Sequence, residues 1–253
     1  PGERDLDITE SILGHCHTAL TLYLPETRRS GETAKFETLL ADRMHNAASL
    51  DFRIAYFRAF TAGATRPESV SELGRLLDAK SAIPGLPLQQ RDRWNIVSTL
   101  VRDGAPGAAD LVSAESQRDS TEDGKRSAYA AMAGAGSPEA KARYFEDYLK
   151  TNAIPEDFVT ASLGSFNAWN QNALTLKFLE PALDALPMLK QTRKIFFING
   201  WLSSFVSGQT SSEAQSIVNG FLARKGIDPD LRLKVLEVRD DLDRTVRIRS
   251  RWR

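Results

Sequence analysis

The sequence predicts an all-α fold, namely an α-α superhelix of antiparallel helix hairpins like those of HEAT and armadillo repeats. Apolar residues recur every three or four positions along nearly the whole chain, as one buried helix face requires. The sequence contains no sustained alternation of apolar and polar residues, which is the pattern that a half-buried strand would show. The segments between the apolar stripes are short, so successive helices are expected to pack as antiparallel neighbours.

The apolar stripes place helices in order along the chain. Their members are Phe36, Leu39, Leu40, Met44 and Ala47; Phe52, Tyr56 and Phe60; Val70, Leu73, Leu76 and Leu77; Trp94, Val97, Leu100 and Val101; Tyr144, Phe145, Tyr148 and Leu149; Leu174, Phe178, Ala182 and Leu186; Ile195, Ile198, Trp201, Leu202 and Phe205; Ile217, Val218, Phe221 and Leu222; Leu231, Val235, Val238, Leu242 and Val246. Hairpins of roughly 35–45 residues are typical of helical repeats. The repeat is weak at the level of single residues, so a compact irregular bundle is the alternative.

The breaks between stripes carry residues that start and stop helices. Thr65-x-x-Glu68 and Thr210-x-x-Glu213 match the capping box, in which two side chains satisfy free backbone N–H groups. Ser137-Pro138 and Asp228-Pro229 place a capping side chain before a proline at the first helical position. Glycines are expected to end helices at Gly63, Gly104, Gly164 and Gly226.

Residues 104–136 are rich in Ala, Ser, Asp and Gly and poor in large apolar residues. The segment is compatible with a boundary between two lobes. Leu111, Val112, Tyr129 and Met132 still form a thin apolar stripe, which favours short, closely packed helices. We therefore expect residues 1–253 to form a single helical-repeat domain.

Composition excludes several classes of protein. The 33 basic and 33 acidic residues balance, which argues against a nucleic-acid partner because phosphate binding usually needs a basic excess. No apolar run approaches the ~20 residues that span a bilayer.

Cys16 is the only cysteine, so no disulfide forms within the chain and a cytoplasmic location is expected. The first residues resemble no signal peptide and lack an initiator Met, and we expect a fragment of a larger polypeptide.

A search for catalytic groups finds none. A helical zinc protease needs two histidines four residues apart with a glutamate between them. His15 and His17 are two residues apart and point to nearly opposite sides of a helix, and Cys16 between them does not help. The nucleophile elbow and the phosphate-binding loop motif are also absent. We expect no catalytic residue and no metal ligand in this chain.

Polar clusters near the middle and end of the chain are the other candidate sites. Residues 166–172 combine three Asn and one Gln with Phe166 and Trp169, and amides suit recognition of a peptide backbone. Asn167, Trp169 and Asn170 are therefore the candidate peptide-contacting residues, and a capped loop with a half-buried Trp169 is the alternative. The acidic residues 240–243 lie among arginines at helical spacing, which predicts ion pairs on a solvated face.

Several segments together resemble the C-terminal region of bacterial aminopeptidase N enzymes. They are Ile12 to Leu24, Arg53 to Phe60, Leu73 to Asp78, Ile83 to Leu86, Asp92 to Trp94 and Asp230 to Leu242, in that order and spacing. The family includes alanyl, puromycin-sensitive and endoplasmic-reticulum aminopeptidases. The resemblance covers most of the chain and implies that the first helices of the family's domain are missing at the N-terminal edge.

The resemblance implies a non-catalytic domain of a multidomain zinc exopeptidase. In that family the zinc-binding H-E-x-x-H and the substrate-anchoring G-x-M-E-N lie in an upstream catalytic domain, and this sequence contains neither. The expected partners are that catalytic domain in the same polypeptide, which carries the zinc, and peptide substrates. The implied role is a bowl-shaped superhelix that closes the active-site cleft into a chamber and gates access. The alternative from another class is a free-standing scaffold that binds a protein partner.

Overall fold

The computed structural model describes residues 2–150 and 154–252. Throughout these residues the secondary structure is helical; no strand forms there, and one isolated antiparallel bridge pairs Ile83 with Leu86. The prediction of an all-α fold is confirmed. The chain divides into two compact units, residues 1–120 and residues 121–253.

The first unit is built from helices that stack on their neighbours in the chain. In order they are α1 (Leu6–Thr18), α2 (Glu26–Asn46), α3 (Leu50–Gly63), α4 (Pro67–Leu77), α5 (Gln90–Arg102) and α6 (Ala108–Arg118), with a π-helical turn at Ala19–Tyr23. Helix α3 packs on α1, α2 and α5, and α5 packs on α4 and α6. Contacts with both the next helix and the next but one are typical of stacked helical hairpins.

The core of the first unit is mainly apolar, and it also holds several buried carboxylates, of which Glu37 is the most completely buried. Leu40, Phe57 and Ile96 are among the side chains that are almost completely buried. Glu37 of α2 is also buried, with 1% of its surface exposed. Its carboxylate accepts hydrogen bonds from the backbone N–H and hydroxyl of Thr65, at 3.0 and 2.9 Å, and from Ser69. A buried charge needs such donors, and here they come from the start of α4.

The second unit has longer helices at both ends and short ones between them. In order they are α7 (Glu122–Ala133), α8 (Pro138–Leu149), α9 (Glu156–Phe166), α10 (Asn172–Thr175), α11 (Leu179–Asp184), α12 (Leu186–Thr192), α13 (Ile195–Leu202), α14 (Ser212–Leu222) and α15 (Pro229–Arg251). Short 3-10 turns lie at Trp169–Gln171 and Leu176–Phe178, and a π-helical turn lies at Ser203–Ser207. Helix α7 packs on α9, and α14 packs on α15.

Aromatic side chains fill the core of the second unit. Trp201 is fully buried, its ring centroid lies 4.5 Å from that of Phe205, and its Nε1 donates to the carbonyl of Ala182 at 3.0 Å. One member of the predicted apolar stripe from Ile195 to Phe205 is not buried. Ile195 is 50% exposed because α13 begins there, and the next residue, Phe196, is 82% exposed.

The predicted helix starts are half right. Ser137 and Asp228 cap α8 and α15 through hydrogen bonds from backbone N–H groups to their side chains, as predicted. The two capping boxes are wrong. Helix α4 begins after Arg66 with no side-chain cap, and the Thr65 hydroxyl donates to Glu37. Ser211 rather than Thr210 caps α14, by accepting a hydrogen bond from the backbone N–H of Ala214.

Of the glycines expected to end helices, Gly63 is the last residue of α3. Gly104 follows α5 with a φ of 66° and Gly226 follows α14 with a φ of 77°, a backbone conformation that favours glycine. The expectation for Gly164 is wrong, since it lies inside α9.

The Ala- and Gly-rich segment 104–136 contains α6 and α7 and therefore forms short helices. The division between the two units falls inside it, after Ser120. A single domain over residues 1–253 stays a prediction. None of the helices formed by residues 2–150 and 154–252 combines the length and the apolar composition that crossing a bilayer requires.

Candidate functional site

The candidate peptide-contacting residues lie where α9 ends and a 3-10 turn begins. Asn167 directly follows the last residue of α9 and is buried, with 9% of its surface exposed. Its Nδ2 donates to the carbonyl of Leu163 at 3.2 Å. Trp169 is half-buried, and Asn170 is exposed. Only Trp169 and Asn170 therefore present surface to solvent, and a role for all three in peptide contact stays a prediction.

The neighbouring amides hold helix ends and loops together. Gln171 is buried and donates from Nε2 to the carbonyl of Gly134, just after α7, at 2.8 Å. Asn172 donates from Nδ2 to the hydroxyl of Thr210 at 3.4 Å. The last carbonyls of a helix have no partner within the helix, so side-chain donors stabilise them. This arrangement makes the amide-rich segment a junction between α7, α9 and the loop before α14.

A lysine that sequence reasoning missed completes the same junction. Lys141 of α8 is fully buried, and its Nζ donates to the carbonyls of Ala133 at 2.9 Å and of Phe166 at 2.7 Å. These carbonyls belong to the last residues of α7 and α9. Nζ also lies 5.0 Å from the centroid of the Phe166 ring. Burial lowers the pKa of Lys141 to about 7, because the charged form loses its hydration.

The signal for this lysine was present in the sequence. Lys141 precedes Tyr144, Phe145 and Tyr148 by three, four and seven residues, so it shares the apolar face of α8. A lysine on an apolar face predicts burial with a partner. The identity of the partners depends on the ends of two other helices, which the spacing within α8 does not reveal.

The histidines and cysteine of α1 do not form a metal site. His15 is exposed, while Cys16 and His17 are half-buried. Burial lowers the pKa of His17, and the positive charge of Arg102 adds to the effect. Among residues 2–150 and 154–252, no group of three or more His, Cys, Asp or Glu side chains is placed to hold a metal ion. The donor set of the described chain therefore does not fit a zinc site.

The charged end of the chain forms ion pairs along α15, as predicted. Arg244 lies 3.1 Å from Asp240 and 3.5 Å from Asp241, and Arg239 lies 3.1 Å from Asp243. Most of these side chains are about a third or more exposed, so each pair contributes at most about 1 kcal/mol. The acidic residues therefore form ion pairs on a largely solvated face of α15.

Comparison with known proteins identifies the family. The family model described as the ERAP1-like C-terminal domain matches residues 1–244. The Aminopeptidase N of Streptomyces lividans is 27% identical over 250 residues, which cover 98% of this chain and 29% of that relative. The chain thus spans less than a third of the length of the relative it matches. A match over nearly the whole chain, with an all-α fold, shows that the chain belongs to the family of ERAP1-like C-terminal domains.

Proposed function

We propose that this chain is the non-catalytic C-terminal domain of a zinc-dependent aminopeptidase. In this proposal it caps the active-site cleft, encloses a chamber that holds the peptide, and gates substrate access. The match of the family model over residues 1–244 carries the proposal. The relative named Aminopeptidase N is more than three times as long as the matched region, which leaves room for a catalytic portion elsewhere in a larger polypeptide.

The donor chemistry of the described residues supports a non-catalytic role. An aminopeptidase of this kind needs a metal held by side chains in a fixed geometry. The described residues place no such group together, and the histidines of α1 differ in exposure. Zinc would therefore be held by the catalytic portion of the parent, and the contribution of this chain is to bind and enclose. The single free thiol of Cys16 accords with a cytoplasmic parent.

The chamber wall is proposed to include Asn167, Trp169 and Asn170. Trp169 and Asn170 offer a half-exposed ring and an exposed amide, which can contact a peptide side chain and backbone. Asn167 is buried at the end of α9, and the hydrogen bonds from Lys141 to the Phe166 carbonyl and from Gln171 to the Gly134 carbonyl hold the turn that carries all three residues. A wall on such an anchored turn keeps its shape between substrates.

The test of the wall uses variants of the full-length enzyme. Trp169→Ala and Asn170→Ala should raise KM for peptides several residues long, and cleavage of a single-residue reporter should change by less than about twofold. Asn219→Ala is the matched control, because Asn219 is an exposed amide on α14 of the same unit. Equal effects on the long peptide and the reporter, or no effect on either, would remove these residues from the wall.

A further inference from the structure

Two apolar side chains are exposed at the start of α13 in the second unit. Phe196 is 82% exposed and Ile195 is 50% exposed, although the rest of the α13 stripe is buried. Asn199 follows Phe196 by three residues, shares its face of the helix and is also exposed. Removing a Phe side chain from water is worth about 1.5–3 kcal/mol, so this face gains stability when it is covered.

Two cations directly precede these side chains. Arg193 is half-buried, and its guanidinium carbon lies 5.2 Å from the centroid of the Phe197 ring. Its Nε and Nη2 are buried, and neither donates to an acceptor among the residues that the structure describes. Lys194 is exposed, and no described carboxylate pairs with it. Buried N–H groups of a cation gain most from a carboxylate, so this end of α13 is suited to receive one.

A third cation contacts the same face from α15. The Nζ of Lys234 donates to Oδ1 of Asn199 at 2.7 Å, and Asn199 lies one turn after Phe196 on α13. The amide of Asn199 is neutral and does not balance the ammonium charge. Glu237, one turn further along α15, is exposed, and within the described part of the chain it forms no ion pair with Lys234. The exposed apolar side chains are therefore flanked by positive charge.

We propose that the α13 patch, which consists of Arg193, Lys194, Ile195, Phe196 and Lys234, docks onto the catalytic portion of the parent polypeptide. The surface that it meets has an apolar pocket for Phe196, flanked by Asp or Glu side chains that pair with the three cations. An apolar centre with a polar rim is the usual anatomy of a protein interface. The proposal rests on the proposed function, because that function supplies the catalytic portion.

The size of the patch favours a partner that is linked to this chain. A buried aromatic side chain contributes about 150–250 Å² to an interface, whereas a stable complex between separate chains buries about 800 Å² on each partner. Phe196 and a half-exposed Ile195 supply only part of that area. A linked surface needs less, because its effective concentration is high. The patch is therefore too small to hold a second copy of the chain by itself.

Hydroxyl-radical footprinting with mass spectrometry measures whether Phe196 is covered. The oxidation rate of its side chain is compared between the purified chain and the full-length parent polypeptide. The rate should be at least about fivefold lower in the parent, because the centre of an interface excludes water. Equal rates would overturn the proposal. Protection of Phe196 in the purified chain that increases with concentration would also overturn it, since that result indicates a second copy.

Cross-linking identifies the surface that the patch contacts. A carbodiimide joins an amine directly to a carboxylate, and in the parent Lys194 and Lys234 should link to Asp or Glu outside residues 1–253. Lys125 is the internal control, because its Nζ lies 2.6 Å from Glu122 and should link to it. Links from Lys194 and Lys234 to residues 1–253 alone would contradict the proposed partner.

A charge reversal in the parent tests the role of the cations. Lys194→Glu should raise the oxidation rate of Phe196 at least about twofold, because it opposes an acidic surface. Lys125→Glu reverses an exposed charge of the same unit outside the patch and should leave that rate unchanged. The same rate in both variants would count against the proposal. None of these measurements uses hydrolysis, so Phe196 can be unprotected while the peptide-length preference holds, and the reverse is also true.

Discussion

Replacing Lys141 by methionine should remove a pH dependence of stability from the second unit. In the folded chain, burial lowers the pKa of this amine to about 7 from an ordinary value of 10.5. Between these values the unfolded chain binds the proton and the folded chain does not. The free energy of unfolding therefore rises with pH in this range, by about 1.4 kcal/mol per pH unit. Below pH 7 both states are protonated and the full cost of burying the charge remains.

The hydrogen bonds explain why the neutral amine is tolerated. A neutral amine has two N–H groups, and the carbonyls of Ala133 and Phe166 accept two hydrogen bonds from Nζ. An ammonium group has a third N–H, and it lies near the ring of Phe166. Deprotonation therefore costs neither of the two hydrogen bonds while it removes the buried charge.

The expected size of the effect follows from the two pKa values. From about pH 7.5 to about pH 9.5, wild type should gain about 2–3 kcal/mol relative to Lys141→Met. The contributions of other titrating groups to the free energy of unfolding cancel in this difference, because both proteins contain those groups. Methionine leaves two carbonyls without donors but also removes the buried charge, so the two proteins should be closest in stability near pH 7.

Urea unfolding followed by circular dichroism measures this difference at each pH. Lys225→Met is the matched control, since Lys225 is an exposed lysine of the same unit, and its difference from wild type should not change with pH. A difference between wild type and Lys141→Met that stays constant from about pH 7.5 to about pH 9.5 would refute the reasoning.

Three further substitutions test the buried polar groups and the core. Glu37→Gln should lower the free energy of unfolding by about 2–3 kcal/mol in urea titrations, because an amide cannot accept all the hydrogen bonds that its carboxylate receives. Glu115→Gln should cost about 3–5 kcal/mol by the same measurement, since it leaves the guanidinium of Arg93, 2.6 Å away, without its charged partner; a loss below 1 kcal/mol would contradict this. Trp201→Ala should cost about 3–5 kcal/mol and lower the Tm, because it leaves a large cavity; an unchanged Tm would show that the core can close.

Local chemistry made much of the fold predictable. The spacing of apolar residues locates most helices, because a helix buries one face whatever it packs against. Ser137 and Asp228 act as predicted since their hydrogen bonds reach only two or three residues along the chain. Thr65 does not cap a helix, and its hydroxyl donates instead to Glu37, which lies 28 residues earlier in the chain. A tertiary acceptor of this kind is invisible to a rule based on neighbouring residues.

The candidate site was less predictable for the same reason. The amides of residues 167–172 stand out by composition, but composition does not tell a side chain that meets a ligand from one that meets a helix end. Asn167 and Gln171 donate to backbone carbonyls.

The proposed function is tested most directly by measuring which peptide lengths the proposed parent aminopeptidase cleaves with and without this chain. The proposed catalytic portion of the parent polypeptide would be produced separately and assayed alone and with residues 1–253 added. Added chain should shift the preference towards peptides of a limited length and leave hydrolysis of a single-residue reporter within about twofold. The same length profile with and without the chain, or zinc-dependent hydrolysis by the purified chain alone, would contradict a non-catalytic domain that encloses the substrate.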